Sequence, residues 1–174
     1  MADSGVKASM RGLILFGLCA LFPVGCAGTS AAVPDSARRE ATMTKRASGT
    51  FDVKLTPMAP DVGAGDTGTG RMRIDKQFHG ELEGPSQGQM LAVMAASKTS
   101  GGYVAMEHVS GTLHGRSGTF ALQHSGTMTR GAQQLSVTVV PDSGTGQLVG
   151  LTGSMRIIID EGKHSYEFDY ALAE

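Results

Sequence analysis

The sequence predicts an all-β fold, an antiparallel and roughly eight-stranded closed barrel. Apolar and polar residues alternate with period two over most of the chain beyond Gly49, and no sustained helical period competes with that pattern. Glycine supplies 25 of 174 residues without a Gly-X-Y repeat, while 40% of residues are hydrophobic, so the glycines serve turns inside a folded domain. Ser-Gly-Thr followed by an apolar residue recurs at Ser48, Ser110, Ser117 and Ser125, and the related Thr-Gly-Ser-Met begins at Thr152. Glycine therefore falls where strands begin, bend or turn.

The N-terminus reads as a targeting segment. Lys7 and Arg11 precede the apolar run Leu13 to Phe22, which is too short to span a bilayer and suits a secretory signal over residues 1–25. Pro23-Val24-Gly25-Cys26-Ala27 resembles a bacterial lipobox with Pro23 in the usual leucine position, so Cys26 is the candidate lipidation site. Ordinary signal-peptidase cleavage nearby is the alternative. Residues 26–46 are small, polar and locally basic, with Arg38, Arg39, Lys45 and Arg46, and read as a flexible tether. The barrel domain then occupies 47–174.

Within that domain the alternation predicts strands at Gly49 to Thr56, Arg71 to Glu83, Gln89 to Ala96, Gly102 to Ser110, Gly118 to Thr129, Gln134 to Val140, Ser154 to Asp160 and Lys163 to Leu172. Their short connections imply antiparallel neighbours. Closure removes sticky edges, and a sandwich is the alternative. The segment Pro57 to Gly70 holds Gly63, Gly65 and Gly68 in a formal dinucleotide-binding spacing. Without a buried strand before it and a helix after it, it reads as a surface loop.

Charge and cysteine content narrow the partners. The formal charge is −1, and removing Lys7, Arg11 and Asp3 with residues 1–25, a net +1, leaves −2. Nothing there attracts nucleic acid. Cys19 and Cys26 belong to the leader and its edge, leaving no disulfide or thiolate metal site in the domain. The five histidines lack metal-ligand spacing, and no cofactor is expected. Asp142-Ser143-Gly144 matches the aspartic protease triplet but has no second copy and follows Pro141, which marks a turn.

The candidate site comes from polar residues on apolar faces. Phe51, Val53 and Leu55 are plain core, as are Leu135, Val137 and Val139, and Met155, Ile157 and Ile159. Lys76 shares a face with Ile74 and Phe78, His124 with Phe120 and Leu122, and His164 with Tyr166, Phe168 and Tyr170. Glu107 points inward beside Tyr103, Ala105 and Val109, or outward while Val104 and Met106 turn in; the alternation allows both. One reading has Lys76 snorkelling at a barrel mouth and His124 as a hydrogen-bonded core histidine. The other brings Lys76, Glu107 and His124 into one cavity, with Arg116 in its turn closing a mouth or recognising a carboxylate, and Tyr103, Tyr166, Phe168 and Tyr170 as lining.

The runs IDKQFHGELEG from Ile74, GYVAMEHVSGTLHGRSGTFALQHSGTM from Gly102, VVPDSGTGQLVGLTG from Val139 and KHSYEFDYAL from Lys163 are similar to the bacterial domain of unknown function 3224 family over about Ala47 to Leu172. That resemblance implies an allene oxide cyclase-like barrel. It also implies that Lys76, Glu107, Gly115, Arg116, Gly118, His124, Asp142, Gly144, Gly146 and His164 occupy motif positions. It implies no established activity.

The expectation is thus an exported, lipid-anchored envelope barrel, in the outer membrane or periplasm, that touches the membrane through its anchor only and takes a small apolar or amphipathic ligand. An isomerase or cyclase acting in the cavity and a purely structural barrel are the alternatives. Intact-mass analysis of protein from its own envelope should give a chain beginning at a lipid-modified Cys26. An unlipidated chain beginning after Cys26 would eliminate the anchor and leave export standing.

Overall fold

The computed structural model describes residues 43–59 and 68–172. The leader, Cys26, the tether as far as residue 42, and Gly63 and Gly65 lie outside the described residues. Eight strands follow one another: β1 (Lys45–Met58), β2 (Gly70–Gly80), β3 (Leu82–Met94), β4 (Gly101–Leu113), β5 (Arg116–Thr129), β6 (Ala132–Val139), β7 (Thr152–Asp160) and β8 (Lys163–Ala171). Each pairs antiparallel with the next, and β1 pairs with β8, so the sheet closes into a barrel in chain order. A short 3₁₀ turn, Gly146–Leu148, interrupts the connection from β6 to β7.

Three hairpins share one two-residue turn. His114-Gly115, Arg130-Gly131 and Glu161-Gly162 all have positive φ at both positions, at +46 and +81, +50 and +87, and +46 and +79 respectively. That geometry matches the right-handed twist of the flanking strands, and glycine at the second position removes most of its cost. Three further glycines have another origin. Each of the three tyrosines stands opposite a glycine across the sheet: Tyr166 faces Gly49, Tyr103 faces Gly126 and Tyr170 faces Gly153. The Tyr166 and Tyr103 rings lie where a Cβ on Gly49 or Gly126 would go, so the missing side chain is filled by the aromatic next door.

The two ends of the barrel differ. At the end holding the β2–β3 and β4–β5 connections, Leu148 and Leu151 from the β6–β7 connection are buried against Phe120, Phe168 and Tyr170. The Phe120 and Phe168 rings stack at 5.9 Å, and Phe78 meets Tyr166 edge-on at 5.5 Å. This end is solid core. At the other end, reached by the β3–β4, β5–β6 and β7–β8 connections, Met94, Leu135 and Ile159 remain exposed.

Most strand boundaries shift by a few residues from the alternation, and two of the shifts have a visible cause. β1 begins at Lys45, inside the expected tether, because Arg46 pairs across to Asp169 of β8 through two hydrogen bonds of 2.6 and 2.7 Å. The expected strand from Arg71 to Glu83 breaks at Glu81, and β3 starts at Leu82. The buried Tyr166 hydroxyl holds that break, accepting from the Leu82 amide at 2.8 Å and donating to the Leu82 carbonyl at 3.2 Å.

These contacts separate two glycines by mechanism. A Cβ on Gly131 meets nothing within 4 Å, so Gly131→Ala carries only the backbone cost of positive φ and should lose about 1 kcal/mol. A Cβ on Gly49 would collide with the His79 carbonyl oxygen and the Tyr166 ring. Gly49→Ala should therefore lose about 3 kcal/mol or fail to fold. Denaturant titration of the two variants checks the order, and equal losses would contradict the packing.

Candidate functional site

Four neighbouring strands contribute one inward side chain each to a buried polar cluster. Lys76 comes from β2, Ser86 from β3, Glu107 from β4 and His124 from β5. Lys76 stands opposite Ser86, and Glu107 stands opposite Gly88 on one side and Leu122 on the other. The Lys76 Nζ donates to Glu107 Oε2 at 2.7 Å, and the Ser86 hydroxyl donates to Oε1. His124 Nε2 lies 2.9 Å from Oε2, within contact but off the line a directed hydrogen bond requires. The side chains of Lys76, Glu107 and His124 are 5%, 0% and 4% exposed, so water contributes little to their solvation.

Glu107 therefore points inward, and the other face of β4 explains why the alternation allowed both orientations. Val104 and Met106 are 55% and 53% exposed on the outer surface, an apolar pair where a barrel exterior would ordinarily be polar. Burial pushes the Glu107 carboxyl up. The contact with His124, the charge and hydrogen bond of Lys76, and the Ser86 hydroxyl outweigh it and hold the carboxyl at about 2, against an ordinary 4.5. The Lys76 ammonium also sits 4.9 Å from the centre of the Phe51 ring and 5.6 Å from that of Phe78.

The other residues named from the sequence are placed elsewhere. Arg116 is exposed beside the β4–β5 turn at the closed end, near Tyr170, and takes no part in the cluster. Tyr166, Phe168 and Tyr170 are 1%, 0% and 2% exposed in the solid core, so they seal the barrel and do not line its cavity. His164 is half-buried, its ring 5.1 Å from Phe51. Asp142 occupies a turn with φ +58, and the neighbouring Ser143 hydroxyl is spent on the Ala121 amide and the Val140 carbonyl.

Tyr103 belongs to the open end. A cavity of about 300 Å³ there is lined chiefly by Met90, Met94, Tyr103, Met128, Leu135 and Ile159. Burial and the Glu107 charge raise the Tyr103 phenol above its ordinary value, so it stays neutral. His124 lies one inward step below Gly126, which lines the cavity, and stands opposite Ala105. From the opening inward the order is Tyr103, then His124, then Glu107.

Two polar residues escaped the sequence reading. Ser86 fell between expected strands because its inward neighbours on β3, Gly84 and Gly88, are small and carry no apolar alternation. His114 bonds the Tyr170 hydroxyl through Nδ1 at 2.7 Å and approaches Glu81 through Nε2 at 3.2 Å, tying the β4–β5 turn to the β2–β3 bend. Among the described residues, no group of three or more His, Cys, Asp or Glu is placed to hold a metal ion.

An eight-stranded antiparallel barrel with one sealed end, one open end and a buried lysine–glutamate–histidine cluster between them defines the class of protein. The family described as protein of unknown function (DUF3224) matches residues 47–170, and the chain belongs to that family. The crystal structure of a protein of unknown function from the same family, from Shewanella oneidensis MR-1, is similar with a TM-score of 0.70 and 50% sequence identity. The similarity covers 76% of this chain and 99% of that one. No curated protein matches.

Removing the Glu107 carboxylate strands Lys76 in the interior, so Glu107→Ala should cost about 3–5 kcal/mol, whereas losing a solvated carboxylate costs under about 0.5 kcal/mol. Because its carboxyl is held below the ordinary value, Glu107 contributes stability in full above about pH 4.5 and loses it as pH falls towards about 2. The stability gap between wild type and Glu107→Gln should close over that window. A gap that is flat from neutral pH down to 2 would show that Glu107 is not held in this way.

Proposed function

We propose that this chain is an exported, lipid-anchored β-barrel of the bacterial envelope that binds a small apolar or amphipathic molecule in the open end of its barrel. One observation carries the binding reading. Met94, Leu135 and Ile159 belong to the inner apolar faces of their strands, yet they are 53%, 44% and 61% exposed around a cavity of about 300 Å³, while the opposite end is packed solid. Apolar surface gathered in a concavity is favourable to cover, and the volume suits a small ligand or one chain of a larger one. The export and anchoring parts rest on Lys7, Arg11, the apolar run to Phe22 and the small residues before Cys26.

The cluster favours binding over proton transfer. A carboxylate held at about 2 is a weak base at neutral pH, and its oxygens already face Lys76, Ser86 and His124. General acid–base chemistry in the cavity would have to run through the His124 imidazole, whose Nε2 is turned towards Glu107 and away from the opening's apolar lining. Glu107 and its partners support the wall beneath the cavity, and the apolar lining does the recognising.

Native mass spectrometry of the protein purified from its own envelope should show a retained small molecule, and the emptied protein should bind the apolar dye 1-N-phenylnaphthylamine. Ile159→Lys places a charge in the opening at an exposed position, so it should weaken dye binding about tenfold or more while leaving the melting temperature close to wild type. An empty protein that also ignores the dye would overturn the reading.

A further inference from the structure

The barrel is closed unevenly. β5 and β6 pair over eight positions and β7 and β8 over nine, but β6 and β7 are joined in register only at Thr138 and Ser154. From that point towards the open end, the facing edges of β6 and β7 run without a paired position. The effect is visible from outside. A groove of about 600 Å³ on the outer surface is bordered by the outward side chains of Ser136, Ser154, Arg156, Glu167, Asp169 and Arg46. It also reaches Leu135, Val137 and Met155, which belong to the inner faces of the same strands. Val137 and Met155 are only 2% and 4% exposed, so the groove is closed over them, and Leu135, 44% exposed, is where it approaches the interior. Leu135 lines this groove and the apolar cavity of the open end alike.

We infer that the outer groove and the inner cavity are two halves of one binding site, joined through the β6–β7 seam, and that it takes a single-chain amphiphile with a zwitterionic head group. This rests on the binding reading above. The apolar chain lies against Met90, Met128 and Ile159 inside the barrel, and the head group remains in the groove. Charge decides the head. The groove carries two arginines and two carboxylates, so it balances and offers both signs. Arg46 is committed to Asp169 through both hydrogen bonds and approaches Glu167 at 3.6 Å. Arg156 touches Glu167 at 3.2 Å and is 68% exposed, which leaves guanidinium donors facing the groove for a phosphate. Glu167 and Asp169 stand beside it for the quaternary ammonium of the same head group. A fully anionic amphiphile would add net negative charge to a groove whose own charges already balance, whereas a zwitterionic head adds none.

The seam gives the test. Extending the register from Thr138 and Ser154 sets Gln134 opposite Ile158, outside the charged groove; Gln134 also borders the cavity, so each probe is compared between the oxidised and reduced states of the same variant. In the full chain, Gln134→Cys with Ile158→Cys closes the seam on oxidation and reopens it on reduction, with the wild-type chain taken through the same cycle. Lysophosphatidylcholine is the amphiphile probe and 1-N-phenylnaphthylamine the cavity probe. Oxidation should weaken lysophosphatidylcholine binding about tenfold or more and leave dye binding unchanged, with reduction restoring it. Arg156→Glu, without cysteines, should weaken lysophosphatidylcholine by a similar factor and spare the dye. If the oxidised variant binds lysophosphatidylcholine as the reduced one does, or if the disulfide fails to form and Arg156→Glu binds it like wild type, the joined site is wrong. If the wild-type chain binds neither probe, the failure belongs to the cavity reading itself.

Discussion

The buried carboxylate of Glu107 is the constraint on which the middle of the barrel depends. An ion of this kind, taken out of water, costs several kcal/mol unless its partners return the loss. Here the return comes from three other strands: an ammonium from β2, a hydroxyl from β3 and an imidazole from β5. The arrangement is therefore a four-strand tie. Any slip of register by one residue would turn Lys76 or Glu107 to the outer face and leave its partner stranded, so the cluster opposes misregistration far more strongly than an apolar core of the same volume would.

The same charge shapes the residues around it. Large and small side chains alternate across the β2–β3 and β3–β4 pairs: Phe78 stands opposite Gly84, Lys76 opposite Ser86 and Glu107 opposite Gly88. A Cβ on Gly88 would fall 3.2 Å from the Glu107 Cβ and 2.9 Å from its Cα, so bulk on β3 is excluded where the cluster lies. The glycine-rich run of β3 is the imprint of side chains from its neighbours. Further along, the tyrosine–glycine pairs continue the pattern, with Tyr166 filling the space over Gly49 and bracing the β2–β3 bend through its hydroxyl.

This explains which parts of the molecule were legible in the amino-acid order. Strands such as β5 and β7 declare themselves because Phe120, Leu122 and His124, or Met155, Ile157 and Ile159, fall on one face by period two. The first half of β3 did not, since Gly84, Ser86 and Gly88 carry no apolar signal and owe their identity to residues 6 to 21 positions away. The inward face of Lys76 and His124 was readable from their apolar neighbours, but Glu107 was not, because Val104 and Met106 give β4 two apolar faces. The aromatic face of β8 suggested a cavity lining and instead seals the far end, which depends on Leu148 and Leu151 folding across from the β6–β7 connection. The weak β6–β7 seam was out of reach for the same reason. Pairing between strands separated by that connection leaves no local mark in either strand.

The placement of the cluster also bears on what can lie above it. Going inward from the open end, a ligand meets methionines and the neutral Tyr103 hydroxyl, then the edge of His124, and only then the carboxylate. Both carboxylate oxygens are already taken, and the imidazole nitrogen beside Glu107 is misaligned with it, so a polar group entering that far would find the phenol and the imidazole edge as its partners. Methionine side chains adapt to irregular shapes at low cost, which suits an opening that must fit flexible hydrocarbon. Depth is therefore limited by chemistry as much as by volume: hydrocarbon is favoured as far as Tyr103, and below it a ligand would exchange apolar contacts for a polar layer already satisfied within the barrel. A polar head group does better at the surface, where the β6–β7 seam lets it remain in water while its chain is covered.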